Sequence, residues 1–340
     1  MFTTLLHTVL NEGINKRLAL KILEESRWPQ NALELFAVAS RLRDENLGKE
    51  LYFSAGFGGV LPCRIVPRCA YCTYFVAEPF PLPDLLACVR KVEELGIRQM
   101  HLSGGSNLEG YDSEILEMVQ AIQETSDIQV EVNLGPSLSA DTVKALKTMK
   151  VVSITSSLET FTPELFNRTK PGDSLEKRKQ LLEICEQEGV PIRSMMMIGL
   201  GEKYADRIEQ LFYLSRFSYL YHLRFSRFYP YPRTALHNQL RCSPWELART
   251  LAVARLIMPR INLGLAAGNE LDDLPLWYAA GGGNQLLGVM VSNRKVENKT
   301  NPEDELIIIN ERCSVYNRMP LMQRYLQEMG ASVISKEKIQ

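Results

Sequence analysis

The sequence predicts an α/β chain: a (β/α)8 barrel of the TIM type, preceded by a helical cap and followed by a short C-terminal extension. Two observations carry this. Short runs of strand character alternate with amphipathic segments, about eight times over about 240 residues, from residue 50 onward. Glycine and polar residues then collect just behind these runs, where a barrel of this kind keeps its reactive groups. A doubly wound open sheet is the competing architecture. It usually needs fewer units and a phosphate-binding fingerprint on its first turn, and neither is visible.

Residues 1–48 read as helical: Leu5, Val9 and Ile14 recur, then Leu18, Leu20, Ile22 and Leu23, and 32–42 repeats apolar positions three and four apart. Residues 49–310 form the barrel. Its strands are expected at 50–54, 99–103, 129–134, 151–157, 192–200, 221–228, 261–266 and 285–291. Its helices are expected at 82–95, 113–124, 140–149, 175–188, 204–217, 244–258 and 274–280. Residues 293–301 are polar and loop-like. A strand-like run at 305–310 precedes the tail, 311–340, which carries a helix near 320–329. Trp28, Trp245 and Trp277 fall in or near helices and read as packing residues.

Composition narrows the function. With 340 residues, 45% of them hydrophobic, the chain can bury one large core. A net charge of −1 offers no field to gather nucleic acid or an anionic membrane. The longest apolar runs, 194–200 and 285–291, are far too short to span a bilayer. No secretory pattern opens the chain, so a cytoplasmic location is expected. Of the seven cysteines, Cys88, Cys185, Cys242 and Cys313 are scattered and read as buried, inert thiols.

Cys63, Cys69 and Cys72 are different. They stand in LPCRIVPRCAYCTYF with the spacing C-x5-C-x2-C, behind the first strand. Three chemistries compete. A structural zinc site wants four closed ligands, and the fourth would have to come from His101, His222, His237 or Cys88. A thiol redox pair would use Cys69 and Cys72 and leave Cys63 unexplained. An iron–sulfur cluster on three thiolates leaves one iron open to an outside ligand.

The three cysteines, with Tyr71 before the last and a barrel strand before the first, resemble the radical S-adenosylmethionine (SAM) superfamily. The resemblance implies a 4Fe-4S cluster on Cys63, Cys69 and Cys72. It implies SAM chelated at the open iron, and reductive cleavage to a 5′-deoxyadenosyl radical. The usual spacing in that family is C-x3-C-x2-C, so this chain departs from it in the first gap. Gly104, Gly105 and Ser106 resemble the glycine-rich segment that receives the SAM ammonium, although the family commonly has an acidic residue where Ser106 stands. The run Ser157-Leu158-Glu159-Thr160, with Arg178 on the next helix, resembles the subgroup of biotin synthase, the diiron-hydrogenase maturase and methylornithine synthase. There Glu159 would meet the SAM ribose or ammonium, and Arg178 its carboxylate. Met197 and Ile198 resemble the segment that reads adenine, Tyr71 would pack near it, and Asn133 would contact the ribose. The longer first gap resembles the radical SAM proteins associated with mono-iron hydrogenase. This implies a role in building its iron-guanylylpyridinol cofactor. An amino-acid mutase or a maturase on another substrate is the alternative. A non-enzymatic metal or electron-carrier protein is the second alternative. The implied partners are a small-molecule substrate and an external electron donor such as ferredoxin or flavodoxin.

For the substrate, the sixth-strand region is dense in aromatics and arginines. Arg227, Tyr229, Tyr231 and Arg233 could stack a planar ring and grip a carboxylate, with Asn269 nearby. The competing reading is a proline-stiffened turn with surface arginines.

Overall fold

The structure, a computed structural model, describes residues 2–73, 76–266, 268–293 and 304–334; the loop expected at 293–301 lies outside them except for its first residue. Three helices come first: α1 (Phe2–Glu12), α2 (Lys16–Glu25) and α3 (Pro29–Leu47). Each buries one stripe, Leu6 and Val9 on α1, Ile22 and Leu23 on α2, Leu35 and Phe36 on α3. Asn15 caps α2 by accepting the Leu18 N–H at 3.0 Å. Pro29 opens α3, where a missing N–H leaves no bond unmade.

Eight strands follow: β1 (Glu50–Gly58), β2 (Gln99–Ser103), β3 (Gln129–Asn133), β4 (Ser153–Thr155), β5 (Ile192–Ile198), β6 (Leu220–Arg227), β7 (Asn262–Leu265) and β8 (Gln285–Ser292). Their neighbours pair in parallel, in the order β7-β6-β5-β4-β3-β2-β1-β8. No ladder joins β7 to β8 among the described residues, so the barrel is not closed by hydrogen bonds around its whole circumference. The seam is held by side chains and turns instead. The Gly283 N–H donates to the Leu263 carbonyl at 2.7 Å, and the fully buried Trp277 donates its Nε1–H to the same oxygen at 2.8 Å.

Outside the strands lie α4 (Leu82–Glu94), α5 (Asp112–Thr125), α6 (Ala140–Thr148), α7 (Pro163–Thr169), α8 (Leu175–Glu188), α9 (Tyr204–Leu214), α10 (Pro244–Ile257) and α11 (Leu274–Ala279). Ser139, Ser174 and Ser243 cap α6, α8 and α10, each accepting an N–H three residues on. A cap of this kind stabilises a helix by about 1 kcal/mol. Gly189, at φ 66°, ends α8 in the left-handed conformation. The helical cap sits on α10, with Phe36 edge-on to Trp245 at 5.3 Å. Trp28, by contrast, is 62% exposed and does not pack.

Three departures from the expected elements have physical reasons. β1 runs four residues further, because both its neighbours, β2 and β8, ladder with 55–58. β4 keeps only three residues, because the backbone turns out of the ladder to put Glu159 at φ 61°. α7 is a short helix begun by Pro163, too brief to show a period. Beyond β8, a hairpin of β9 (Glu305–Ile308) and β10 (Ser314–Asn317) adds antiparallel to the sheet through β10. Then α12 (Met319–Glu328) leads to β11 (Ser332–Val333), which pairs with the start of β1.

Candidate active site

A cavity of about 440 Å³ opens at the C-terminal ends of the strands. The cysteine loop forms one wall. It leaves β1 and is tied down on several sides: the Gly105 N–H donates to Leu61 O (2.8 Å), Arg64 N–H to Ser106 O (2.9 Å) and Ala70 N–H to Thr169 O (2.7 Å). The Tyr111 hydroxyl donates to Pro62 O at 2.5 Å. Two glycines make this packing possible. A Cβ on Gly105 would lie 2.2 Å from the Cys63 Cα and N, and one on Gly104 2.7 Å from Leu134. The lengthened gap has its own berth: a Cβ on Gly172 would lie 2.4 Å from the Pro67 carbonyl oxygen.

Cys63, Cys69 and Cys72 are half-buried thiols outside any disulfide, and Cys72 lines the cavity. Burial pushes the Cys69 thiol up to about 12. A redox C-x-x-C pair needs the opposite, a thiol lowered towards neutrality. Among the described residues no three of His, Cys, Asp and Glu converge as a single metal ion requires, so the side chains do not build a closed zinc site. A multi-iron cluster takes each thiolate on a different iron and suits a looser set of three. The donor set and the glycine cradle therefore fit a cluster.

Against the loop stands a buried ionic chain. Glu159 is pinned to β5 by its own backbone, N–H to Met195 O and carbonyl from Met197 N–H, both 2.8 Å. Its left-handed φ of 61° is a strained conformation for a non-glycine residue, of a kind that clusters at functional sites. Its carboxylate accepts the Tyr71 hydroxyl at 2.6 Å and pairs with Lys170. Lys170 also meets Asp173 at 3.2 Å, and Asp173 pairs with Arg178 at 2.6 Å. Burial would raise the Asp173 carboxyl, but the Arg178 and Lys170 charges outweigh it and hold it well below the usual carboxylate range. Burial would likewise lower the Arg178 guanidinium, and Asp173 and Glu159 together drive it up. Arg178 also donates to Ser157 O (2.6 Å) and Ser106 Oγ (3.2 Å), so most of its fork is engaged.

The cavity brings together Tyr71, Cys72, Gly104, Ser106, Asn133, Ser157, Glu159, Arg178 and Met197. Gly105 sits behind the wall, against Cys63, and Ile198 is fully buried outside the lining. Of the sixth-strand residues, Arg227, Tyr229 and Tyr231 line the cavity. Arg227 spends its guanidinium on Asp273 (2.9 Å), Glu270 (3.1 Å) and the Cys242 carbonyl (3.2 Å). Arg233 is exposed and outside the lining. Asn269 braces the turn, accepting the Arg227 N–H and donating to Phe225 O and Ala266 O.

Sequence reasoning missed Lys170 and Asp173 as partners, and it missed the cavity floor. Inward positions of β2, β5 and β6 carry His101, Arg193 and Arg224, all on the lining. The available signal was a charge in mid-strand between apolar neighbours, as in Met195–Ile198 behind Arg193.

Comparison with known proteins fits this geometry. Residues 66–214 match the radical SAM superfamily, and residues 225–288 match the biotin and thiamin synthesis associated domain. The first match begins just after Cys63 and includes Cys69, Cys72, Glu159 and Arg178. An uncharacterised protein of Methanocaldococcus jannaschii is 29% identical over 300 residues, covering 86% of this chain and 79% of the relative. A biotin synthase of Chlamydia pneumoniae is 27% identical over 260 residues, covering 72% and 76%. Methylornithine synthase superposes with a TM-score of 0.79 at 18% identity, over 97% of both chains. The FeFe-hydrogenase maturase of Carboxydothermus hydrogenoformans superposes with 0.80 at 16% identity, over 98% of this chain and 79% of its own. Fold and thiolate loop together define an iron–sulfur enzyme on a parallel barrel. The chain carries a radical SAM domain, and enzymes of that superfamily use a 4Fe-4S cluster and SAM.

Proposed function

We propose that Cys63, Cys69 and Cys72 hold the cluster, that SAM binds across the rim of the cavity, and that the enzyme acts in biosynthesis of the iron-guanylylpyridinol cofactor of mono-iron hydrogenase. One observation carries the site: a single cavity gathers Cys72, the Gly104 segment, Glu159, Arg178 and Met197 from five separate stretches of chain. When bound, cluster and SAM supply a carbon-centred radical once an external donor such as ferredoxin or flavodoxin delivers an electron. The chain's own part is positioning. Gly104 lets the backbone approach closely, and Tyr71 and Lys170 fix the Glu159 carboxylate at the rim. The Arg178 guanidinium places positive charge beside Ser106 and Ser157. The hydrogenase assignment rests on the C-x5-C-x2-C spacing, whose longer loop has a fitted seat on Gly172.

Anaerobic reconstitution with iron and sulfide tests the first part. The wild type should show a reducible cluster whose EPR signal changes on adding SAM, with dithionite-dependent release of 5′-deoxyadenosine. Cys63→Ala, Cys69→Ala and Cys72→Ala should each lose both. Bound zinc with no response to SAM would overturn it. For the second part, deleting the gene in its own host should abolish assembly of active mono-iron hydrogenase; an unaffected hydrogenase would remove that role.

A further inference from the structure

We propose that the cavity floor is a carboxylate subsite, in which Arg224, with His101 on the same lining, receives the anionic end of a small-molecule substrate. This rests on the radical SAM reading of the same cavity and names the class of molecule it accepts. Arg224 lies three residues before the end of β6 and His101 two before the end of β2, so both sit about 7–10 Å below the rim. That depth separates them from the rim residues assigned to SAM.

The argument is one of charge. Glu131, on β3, is the carboxylate of the floor, and it is already committed to Arg193 and Gln99. No hydrogen bond or ion pair reaches the Arg224 side chain among the described residues, and its Nε is buried without a partner. Its closest polar neighbours of acidic type are the phenols Tyr52 and Tyr221, hydrogen-bonded to each other at 3.2 Å. Burial lowers the Arg224 guanidinium to about 10, so it still holds its proton at neutral pH. Burial, and then the Arg224 and Arg193 charges, hold His101 and His222 neutral. Among the described residues two guanidinium groups thus face one carboxylate, leaving one positive charge uncompensated in a low-dielectric chamber. Such a charge is costly unless a partner arrives. An arginine fork matches the two oxygens of a carboxylate. His101 lines the same cavity. Space has been cleared for this arrangement. A Cβ on Gly56 would lie 2.7 Å from the His101 ring, and one on Gly264 2.3 Å from the His222 ring.

The test is thermal unfolding of the reconstituted, full-length protein without SAM. Acetate, benzoate and inorganic phosphate are each added against chloride at equal ionic strength. In the wild type Tm should rise with either carboxylate. In Arg224→Met the rise should vanish, while the anion-free protein should melt roughly 2–5 °C higher, because an unpaired buried charge has been removed. Arg224→Lys keeps the charge but not the fork, and should need at least about tenfold more carboxylate for the same rise. An undiminished rise in Arg224→Met, or a lower anion-free Tm in that variant, would overturn the subsite. A response to phosphate alone would overturn the carboxylate class. Release of 5′-deoxyadenosine by the wild type is measured separately, so failure of the radical SAM reading and failure of the subsite give different patterns.

Discussion

Lys170→Met should destabilise the protein by about 3–5 kcal/mol, the range for removing one member of a buried ion pair. The Lys170 side chain is 1% exposed, and its ammonium joins Glu159 to Asp173. Without it, Asp173 keeps its pair with Arg178, but the Glu159 carboxylate keeps a single hydrogen bond, from the Tyr71 hydroxyl at 2.6 Å, and only the more distant Arg178 charge. Methionine nearly fills the lysine volume, so the loss measures the charge and not a cavity. In a chain of this size the effect corresponds to a Tm fall of roughly 6–15 °C. Urea unfolding at pH 7, with the slope checked for constancy, gives the free energy. The charge argument makes a second, sharper claim. In Lys170→Met with Glu159→Gln no orphan carboxylate remains, so the double variant should recover about 1–3 kcal/mol relative to the sum of the singles. The far-UV signal should stay native, because two backbone hydrogen bonds to β5 hold residue 159 independently of its side chain. A single-variant loss below about 1 kcal/mol, or strict additivity in the cycle, would refute the claim that Lys170 neutralises Glu159.

Two further outcomes follow from the same wall of the cavity. Asp173 has a folded pKa held below its unfolded one, so its contribution is complete above about pH 4–5 and is lost as pH falls below that. The gap in urea midpoint between wild type and Asp173→Asn should therefore be wide at pH 7 and shrink progressively below about pH 4; a gap independent of pH contradicts the pairing. Gly105→Ala places a methyl 2.2 Å from the Cys63 backbone, so the loop must move. The variant should lose about 1–3 kcal/mol, and most of its iron after reconstitution, while staying folded; full iron loading would show that the loop does not depend on that contact.

The barrel was legible because its strands and helices repeat in a period that burial enforces. β2 and α8 begin and end where alternation and capping place them. The rim was legible for a different reason. Close backbone approach demands glycine at 104 and 105, and a thiolate set demands cysteine at fixed spacing, so the chemistry leaves its mark in adjacent letters. The end of β4 was not legible, because nothing in the letters around Glu159 announces a left-handed residue in place of a longer strand.

The floor hides for a structural reason that also explains its use. Arg193, Arg224, His101 and Glu131 lie on four different strands, and each alone looks like an intrusion in an apolar run. Arg227, three residues on from Arg224, looks the better substrate ligand in the sequence because it stands among tyrosines. The structure reverses their standing: Arg227 is consumed by Asp273 and Glu270, and Arg224 is left without an anion among the described residues. Neighbourhood in sequence does not decide which cation is free. That depends on which carboxylates the fold delivers, and here, among the described residues, it brings Asp273 and Glu270 from the β7–α11 connection to one arginine and none to the other. An unmatched charge facing a cavity is a stability cost that folding alone gives no reason to keep. It is the property expected of a residue whose partner is a substrate.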